Sequence, residues 1–370
     1  MTNHKGMWHV LSRVFNILKL LVIEIKQKGW FQGSLRFAVL RSHHPVIRPT
    51  LKSLLENDYR FEWIINKLAL LSNRNPRPVK VYAESTNACN AKCIMCPRDE
   101  MTRKIGIMDL NLFKKIVDQC VDAGVQELRF HNYGEVMIDP NLGEKIKYAK
   151  TAGIPVTALY TNGSLLTEKI SHQILDAGLD KMFVSIDGTD RETFERIRLR
   201  LKYDEVSGNL KRFLEIRKAR GQKNPFTEIV LLPIYSQNGE VEKFKQAWQG
   251  LVDNVRVSEV HDFAGQGTDE YRNRKTPQKI KRIPCYMLWR DMYILWNGQV
   301  TLCCLDFDGK TNFGSIQKSS LKQLWCDSPI NSVRRQHLNR EWEKLPLCHN
   351  CHVNVYWDFD SKLQTLRLWL

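Results

Sequence analysis

Cys89, Cys93 and Cys96 stand in one short run, Cys-Asn-Ala-Lys-Cys-Ile-Met-Cys. Thiolates at these intervals can converge on one face of an iron–sulfur cube, and three of them leave one iron without a protein ligand. An open iron is a place for chemistry or for a bound small molecule. The same triplet also suits a structural zinc knot, which wants a fourth Cys or His nearby, or redox-inert cysteines in a loop. A second group follows much later: Cys285, Cys303, Cys304, Cys348 and Cys351. Cys120 and Cys326 stand apart from both groups and read as thiols or small buried hydrophobes.

The elements that must position these residues follow from periodicity. Short β-rich runs are expected at Val79–Glu84, Glu127–His131, Pro155–Tyr160, Lys181–Ile186, Glu228–Pro233 and Asn254–Val257. All but the last are followed by an amphipathic helical stretch, such as Leu110–Ala123 or Thr167–Ala177. Alternation of this kind makes an α/β fold with a parallel sheet, whose sites lie at the carboxyl ends of the strands. Near the end, Asn297-Gly298 predicts a hairpin turn between Met292–Trp296 and Gln299–Leu302.

The chain has 370 residues, 43% of them hydrophobic, enough for one domain of barrel size and a smaller second one. Ten cysteines without an even framework or a cleavable signal sequence point to a reducing compartment and metal binding, hence to the cytoplasm. Charge is uneven: residues 1–80 carry 14 Lys/Arg against 4 acidic residues, so most of the +16 net charge precedes the cysteine loop. Over Met7–Lys28, Trp8, Leu11, Phe15, Leu18, Leu21, Val22 and Ile25 recur at helical intervals opposite Lys5, Arg13, Lys19 and Lys26. Arg13, Lys19 and Glu24 interrupt every window long enough to span a bilayer. An interfacial helix beside a basic surface suits peripheral contact with the cytoplasmic membrane face. Docking of the same helix on the barrel explains the pattern equally well, and nucleic acid is the weakest reading, since no recognised module accompanies the charge.

The segment Glu84-Ser-Thr-Asn-Ala-Cys-Asn-Ala-Lys-Cys-Ile-Met-Cys-Pro97 resembles the signature loop of radical S-adenosylmethionine (SAM) enzymes. Tyr133-Gly-Glu-Val, Tyr160-Thr-Asn-Gly-Ser-Leu-Leu166 and Val184-Ser-Ile-Asp-Gly188 then come in the order that family shows at successive strand ends. The resemblance implies a partial (β/α)6 TIM-like barrel over residues 79–260, after a basic helical N-terminal extension, 1–78. It implies that Cys89, Cys93 and Cys96 hold a [4Fe–4S] cluster whose open iron takes the amino-acid part of SAM. Gly134 and Glu135 would meet the SAM ammonium, although Tyr133 and Val136 replace two residues of the family's Gly-Gly-Glu-Pro run. Asn162, Ser185 and Asp187 would lie near the ribose and carboxylate, and Arg198 would pair with the methionyl carboxylate, for which a guanidinium fork is suited. Asn162-Gly163 and Asp187-Gly188 are also ordinary turn dipeptides, Glu135 is also readable as a solvated loop acid, and Arg196 is as suitable a carboxylate partner as Arg198.

The later cysteines carry a second resemblance. Cys285, twelve residues, Gly298, four residues, Cys303, and then Cys348-His-Asn-Cys351 resemble the first part of the SPASM domain, which binds auxiliary [4Fe–4S] clusters. No cysteine follows Cys351, so residues 283–370, behind a basic linker at 261–282, resemble the shortened, single-cluster twitch variant. Cys285, Cys303, Cys348 and Cys351 would saturate one cluster and favour electron transfer, with Cys304 an alternative to Cys303 and a zinc ribbon the competing use of the same thiolates. The implied activity is hydrogen abstraction by a 5′-deoxyadenosyl radical, with an external reductant such as flavodoxin or ferredoxin. A sugar, cyclitol or lipid-linked glycan would be dehydrogenated or epimerised. Modification of a peptide, and a non-catalytic iron–sulfur or zinc scaffold at a membrane or RNA, are the other readings.

Overall fold

The computed structural model describes residues 77–236, 239–258, 263–266, 284–285 and 287–351, together with Ser34 and Pro49. The amphipathic helix expected over Met7–Lys28 and most of the 261–282 linker lie outside the described residues. The chain divides into two units. One comprises residues 1–75, 279–286 and 354–370; its described residues include Cys285, which is buried. The other comprises residues 76–278 and 287–353 and holds the sheet. No described helix is long and apolar enough to cross a membrane.

The expected alternation is present. Strands β1 (Lys80–Ala83), β3 (Glu127–Phe130), β4 (Val156–Thr161), β5 (Lys181–Ser185), β7 (Phe226–Leu231) and β8 (Asn254–Val257) lie side by side in that order, every pair parallel. Helices α1 (Leu110–Ala123), α2 (Leu142–Ala152), α3 (Glu168–Ala177), α5 (Tyr203–Ala219) and α6 (Glu240–Trp248) make the crossovers, with a short α4 (Arg191–Ile197) between β5 and α5. The boundaries have local causes. Asp109 caps α1 by accepting from the Asn111 and Leu112 N–H groups, Thr167 caps α3, and the first three helices each end on a left-handed glycine. Phe113, Ile116, Val117 and Cys120 form the buried stripe of α1, and Phe113 stacks on Phe130 of β3. These strands and helices are an α/β partial barrel; among the described residues the sheet does not close.

The hairpin forms as expected but does not stand apart. Its strand β9 (Asp291–Ile294) pairs in parallel with β1, Lys80 opposite Asp291 through Ala83 opposite Ile294, and β10 (Val300–Thr301) returns antiparallel to it. The physical reason is the open side of β1, whose N–H and C=O groups need partners. Tyr82 and Tyr293 stack across that seam, with ring centroids 4.4 Å apart.

One buried ion pair ties the strand tops together. Lys145 on α2, fully buried, donates to Asp139 at 2.5 Å and to the Met108 carbonyl at 2.6 Å, and Ser85 beyond β1 donates to the same Asp139 oxygen. Removing one partner of such a pair leaves a buried charge uncompensated. Lys145→Met should therefore cost about 3–5 kcal/mol of stability, read as a lower urea midpoint at unchanged slope.

Candidate functional site

The three cysteines sit on a loop held at both ends. Upstream, Thr86 donates to the Gly106 carbonyl at 2.7 Å, and Asn87 donates to the Lys104 carbonyl and accepts from the Gly106 N–H. In the middle, β2 (Lys92–Cys93) pairs antiparallel with β6 (Arg198–Leu199), so Cys93 lies opposite Arg198. Cys89, Cys93 and Cys96 all open on one cavity of about 440 Å³ at the carboxyl ends of the strands.

The strand-end motifs meet them there. Gly134, Glu135, Asn162, Ser185, Asp187 and Arg198 line the same cavity. Gly134 (φ +86°) runs so close to the cysteine loop that a Cβ would lie 2.5 Å from the Thr86 carbonyl and 2.7 Å from that of Ala88. Glu135 is not a solvated loop acid: it is buried, and its carboxylate accepts from the Asn162 N–H at 2.7 Å, the Thr161 hydroxyl at 2.7 Å and the Met137 N–H at 3.1 Å. Burial pushes its pKa up against those donors. Asn162 serves as more than a turn former, because its Nδ2 donates to Asn90 of the cysteine loop at 3.0 Å.

Arg198 and Arg196 separate cleanly. Arg198 donates through Nε and Nη2 to Asp187 at 2.8 and 2.5 Å, and its Nη1 lies 3.6 Å from the Cys93 sulfur. Asp187 also accepts from the Leu232 N–H at 2.9 Å. Arg196 stacks instead over Tyr235, 4.1 Å from its centroid. The thiols carry the clearest electrostatic signature. Burial raises all three, and burial followed by the neighbouring Cys93 pushes Cys96 up to about 12. Crowded, desolvated thiols stay protonated unless a cation takes them as thiolates, so the donor set fits a metal cluster. Among the described residues no three Cys, His, Asp or Glu side chains meet at one point as a single ion requires; this triplet borders a space instead.

A second thiol group lies beyond the hairpin. Cys303, Cys348 and Cys351 are buried, and Cys303 is pushed well above its ordinary range first by burial and then by Cys304, Cys351 and Cys348. His337, buried, brings its Nε2 to 3.3 Å from the Cys348 sulfur. Cys304 lines the cavity, and its carbonyl accepts from the Tyr133 hydroxyl at 2.7 Å. Cys120 is a core residue of α1, whereas Cys326 is exposed. His131, Asn132, Arg256 and Ser258 also stand in the cavity wall, although they lie outside the quoted motifs. A signal did exist for His131, two residues after Arg129 on the inward face of β3.

The Gly134 crossing makes a direct prediction. Gly134→Ala pays left-handed strain and a backbone clash, while Gly153→Ala, at φ +105° with nothing within 4 Å, incurs strain alone. The first should lower the thermal midpoint more than the second, whose cost is about 1–3 kcal/mol.

Sequence comparison agrees with this geometry. The model of the radical SAM superfamily matches residues 83–244, and that of an iron–sulfur cluster-binding domain, SPASM, matches residues 285–352. A GTP 3′,8-cyclase of Chlorobaculum tepidum is 33% identical over 40% of this chain and 45% of its own length. The chain thus spans about half the length of the cyclases it matches. The S-adenosyl-L-methionine-dependent 2-deoxy-scyllo-inosamine dehydrogenase of Niallia circulans is 24% identical over 74% of this chain and 92% of its own. Among solved structures, Streptococcus suis SuiB bound to S-adenosylmethionine shares the fold, with TM-score 0.59, 14% identity and coverage of 86% of this chain and 87% of that one. The two matched domains imply SAM, a SAM-binding [4Fe–4S] cluster and auxiliary iron–sulfur ligation as cofactors. The cysteine triplet on its strand-end cavity thus lies inside a radical SAM domain, residues 83–244, and the later cysteines lie inside a SPASM-type iron–sulfur domain, residues 285–352.

Proposed function

We propose that this chain is a radical SAM oxidoreductase that removes hydrogen from a C–H bond of a sugar, cyclitol or lipid-linked glycan. The observation that carries the reading is the convergence of Cys89, Cys93, Cys96, Gly134, Glu135, Asn162, Ser185, Asp187 and Arg198 on one cavity. Cys89, Cys93 and Cys96 would hold the SAM-binding cluster. Cys285, Cys303, Cys348 and Cys351 would hold an auxiliary one that accepts an electron, which makes the net reaction a two-electron oxidation. When bound, the first cluster and SAM supply the 5′-deoxyadenosyl radical that abstracts the hydrogen.

The chain's own residues have definite parts in this. Glu135 uses three of the four lone-pair sites of its carboxylate inside the protein, so one stays available to an ammonium. Gly134, held against the Thr86 and Ala88 carbonyls, keeps that carboxylate next to the cysteine loop. Asp187 orients Arg198 through Nε and Nη2, which leaves Nη1 toward Cys93 and the cavity for a carboxylate. The similarity to a SAM-dependent cyclitol dehydrogenase along most of both chains supports the substrate class.

The test is anaerobic reconstitution with metal and sulfide analysis, then reduction by dithionite with SAM. About eight irons per chain are expected from two four-iron clusters, with release of 5′-deoxyadenosine. Zinc in place of iron, or intact SAM, would leave the scaffold reading standing. Cys93→Ala should abolish 5′-deoxyadenosine release. Cys348→Ala should bring the iron to about four per chain and reduce the release without abolishing it.

A further inference from the structure

The cavity contains one group that the roles above do not use. Asn132, the first residue of the turn from β3 into Tyr133 and Gly134 to be buried, lines the cavity. It is 7% exposed, and neither its Nδ2 nor its Oδ1 has a hydrogen-bond partner in the protein. A buried polar group left without a partner destabilises the fold, and this side chain carries two of them. Such a cost in a cavity wall is explained when a ligand supplies the missing partners.

We propose that Asn132 is a substrate-binding residue that grips two neighbouring hydroxyl groups of a polyhydroxylated ring. This deepens the function proposed above and rests on it. The argument is one of complementarity. A primary amide offers donors at Nδ2 and an acceptor at Oδ1, and two adjacent hydroxyls offer the reverse pair. A lone carboxylate would satisfy only the donor side, and an ammonium only the acceptor side.

The surroundings favour a neutral ring over an anion. His131 lines the cavity beside Asn132 and stacks on Tyr160, which stacks on Phe183, with centroids 4.5 and 4.4 Å apart. The stacked rings of His131 and Tyr160 give this part of the cavity aromatic, largely apolar surface. Burial and the nearby Arg129 hold His131 down to about 3, so it is neutral. The Arg256 guanidinium, also in the wall, is already matched: it donates to Glu228 at 2.6 Å and to Ser258 at 3.1 Å. Val230 and Leu232 complete the wall with apolar surface. Among the described wall residues, the Asn132 amide is the buried side-chain group left without a hydrogen-bond partner in the protein.

The test is anaerobic calorimetry on the reconstituted full chain with SAM present and no reductant. The probes are 2-deoxy-scyllo-inosamine, myo-inositol and, as a ring without a hydroxyl pair, cyclohexanol. The two polyols should bind and cyclohexanol should not. Asn132→Ala should weaken polyol binding by about tenfold or more, while SAM titrates with wild-type affinity. Asn132→Asp, which keeps the shape but loses the donors, should fall in the same direction, and circular dichroism checks that both variants fold. The proposal is overturned if neither polyol binds, if cyclohexanol binds as well as they do, or if Asn132→Ala binds polyol like the wild type. It is equally overturned if Asn132→Ala weakens SAM binding in the absence of polyol, since the amide would then be a SAM contact. Separately, absence of 5′-deoxyadenosine from the reduced wild type would sink the radical reaction, and calorimetry would still decide the role of Asn132.

Discussion

The site depends on a carboxylate that water never reaches. Glu84, at the end of β1, is fully buried and receives both terminal nitrogens of Arg103, at 2.7 and 2.6 Å. It also accepts from the Trp296 N–H at 3.1 Å and the Tyr133 N–H at 3.4 Å, while Arg103 Nε donates to the Phe307 carbonyl at 2.7 Å. One ion pair thus joins the first strand, the segment after the cysteines, the turn beyond β3 and the hairpin. A buried charge tolerates few arrangements, because its desolvation is offset only when every oxygen is correctly met. That intolerance makes the loop carrying Cys89, Cys93 and Cys96 a positioned element rather than a tether.

The same device recurs around the cavity. Asp139 with Lys145, Asp187 with Arg198 and Glu228 with Arg256 each set a carboxylate beside a matched cation. Each also takes a hydrogen bond from another element: Ser85 to Asp139, the Leu232 N–H to Asp187, and Asn254 to Glu228. Paired charges hold these segments together. The thiols are the exception, since burial and mutual proximity raise them together. Buried together, they stay protonated until a metal displaces their protons and holds them as thiolates.

Much of this was legible in the chain because it is written at short range. The observed α1 has the expected limits, Leu110–Ala123, since a cap, an apolar stripe and a terminal glycine all lie within one segment. The strand ends differed from expectation by one or two residues, as local patterns do not record where a ladder stops. What sequence could not show is pairing at a distance. Nothing in Lys80–Ala83 names Asp291–Ile294 as its neighbour, and nothing in Glu84 names Arg103. Asn162 was readable as a turn residue, but its bond to Asn90 exists only after folding. Asn132 gave no signal at all, because an amide without partners is a property of three dimensions.

The parallel pairing of β1 with β9 has a consequence for how this protein comes into being. On the ribosome, β1 is synthesised about 200 residues before its neighbour β9, at about 5–20 residues per second. For those seconds the nascent chain presents one flank of its first strand to the cell, and a loop of great length must close before the flank is covered. Through that interval the unpaired flank of β1 is an exposed strand edge, the kind of surface on which chains associate wrongly.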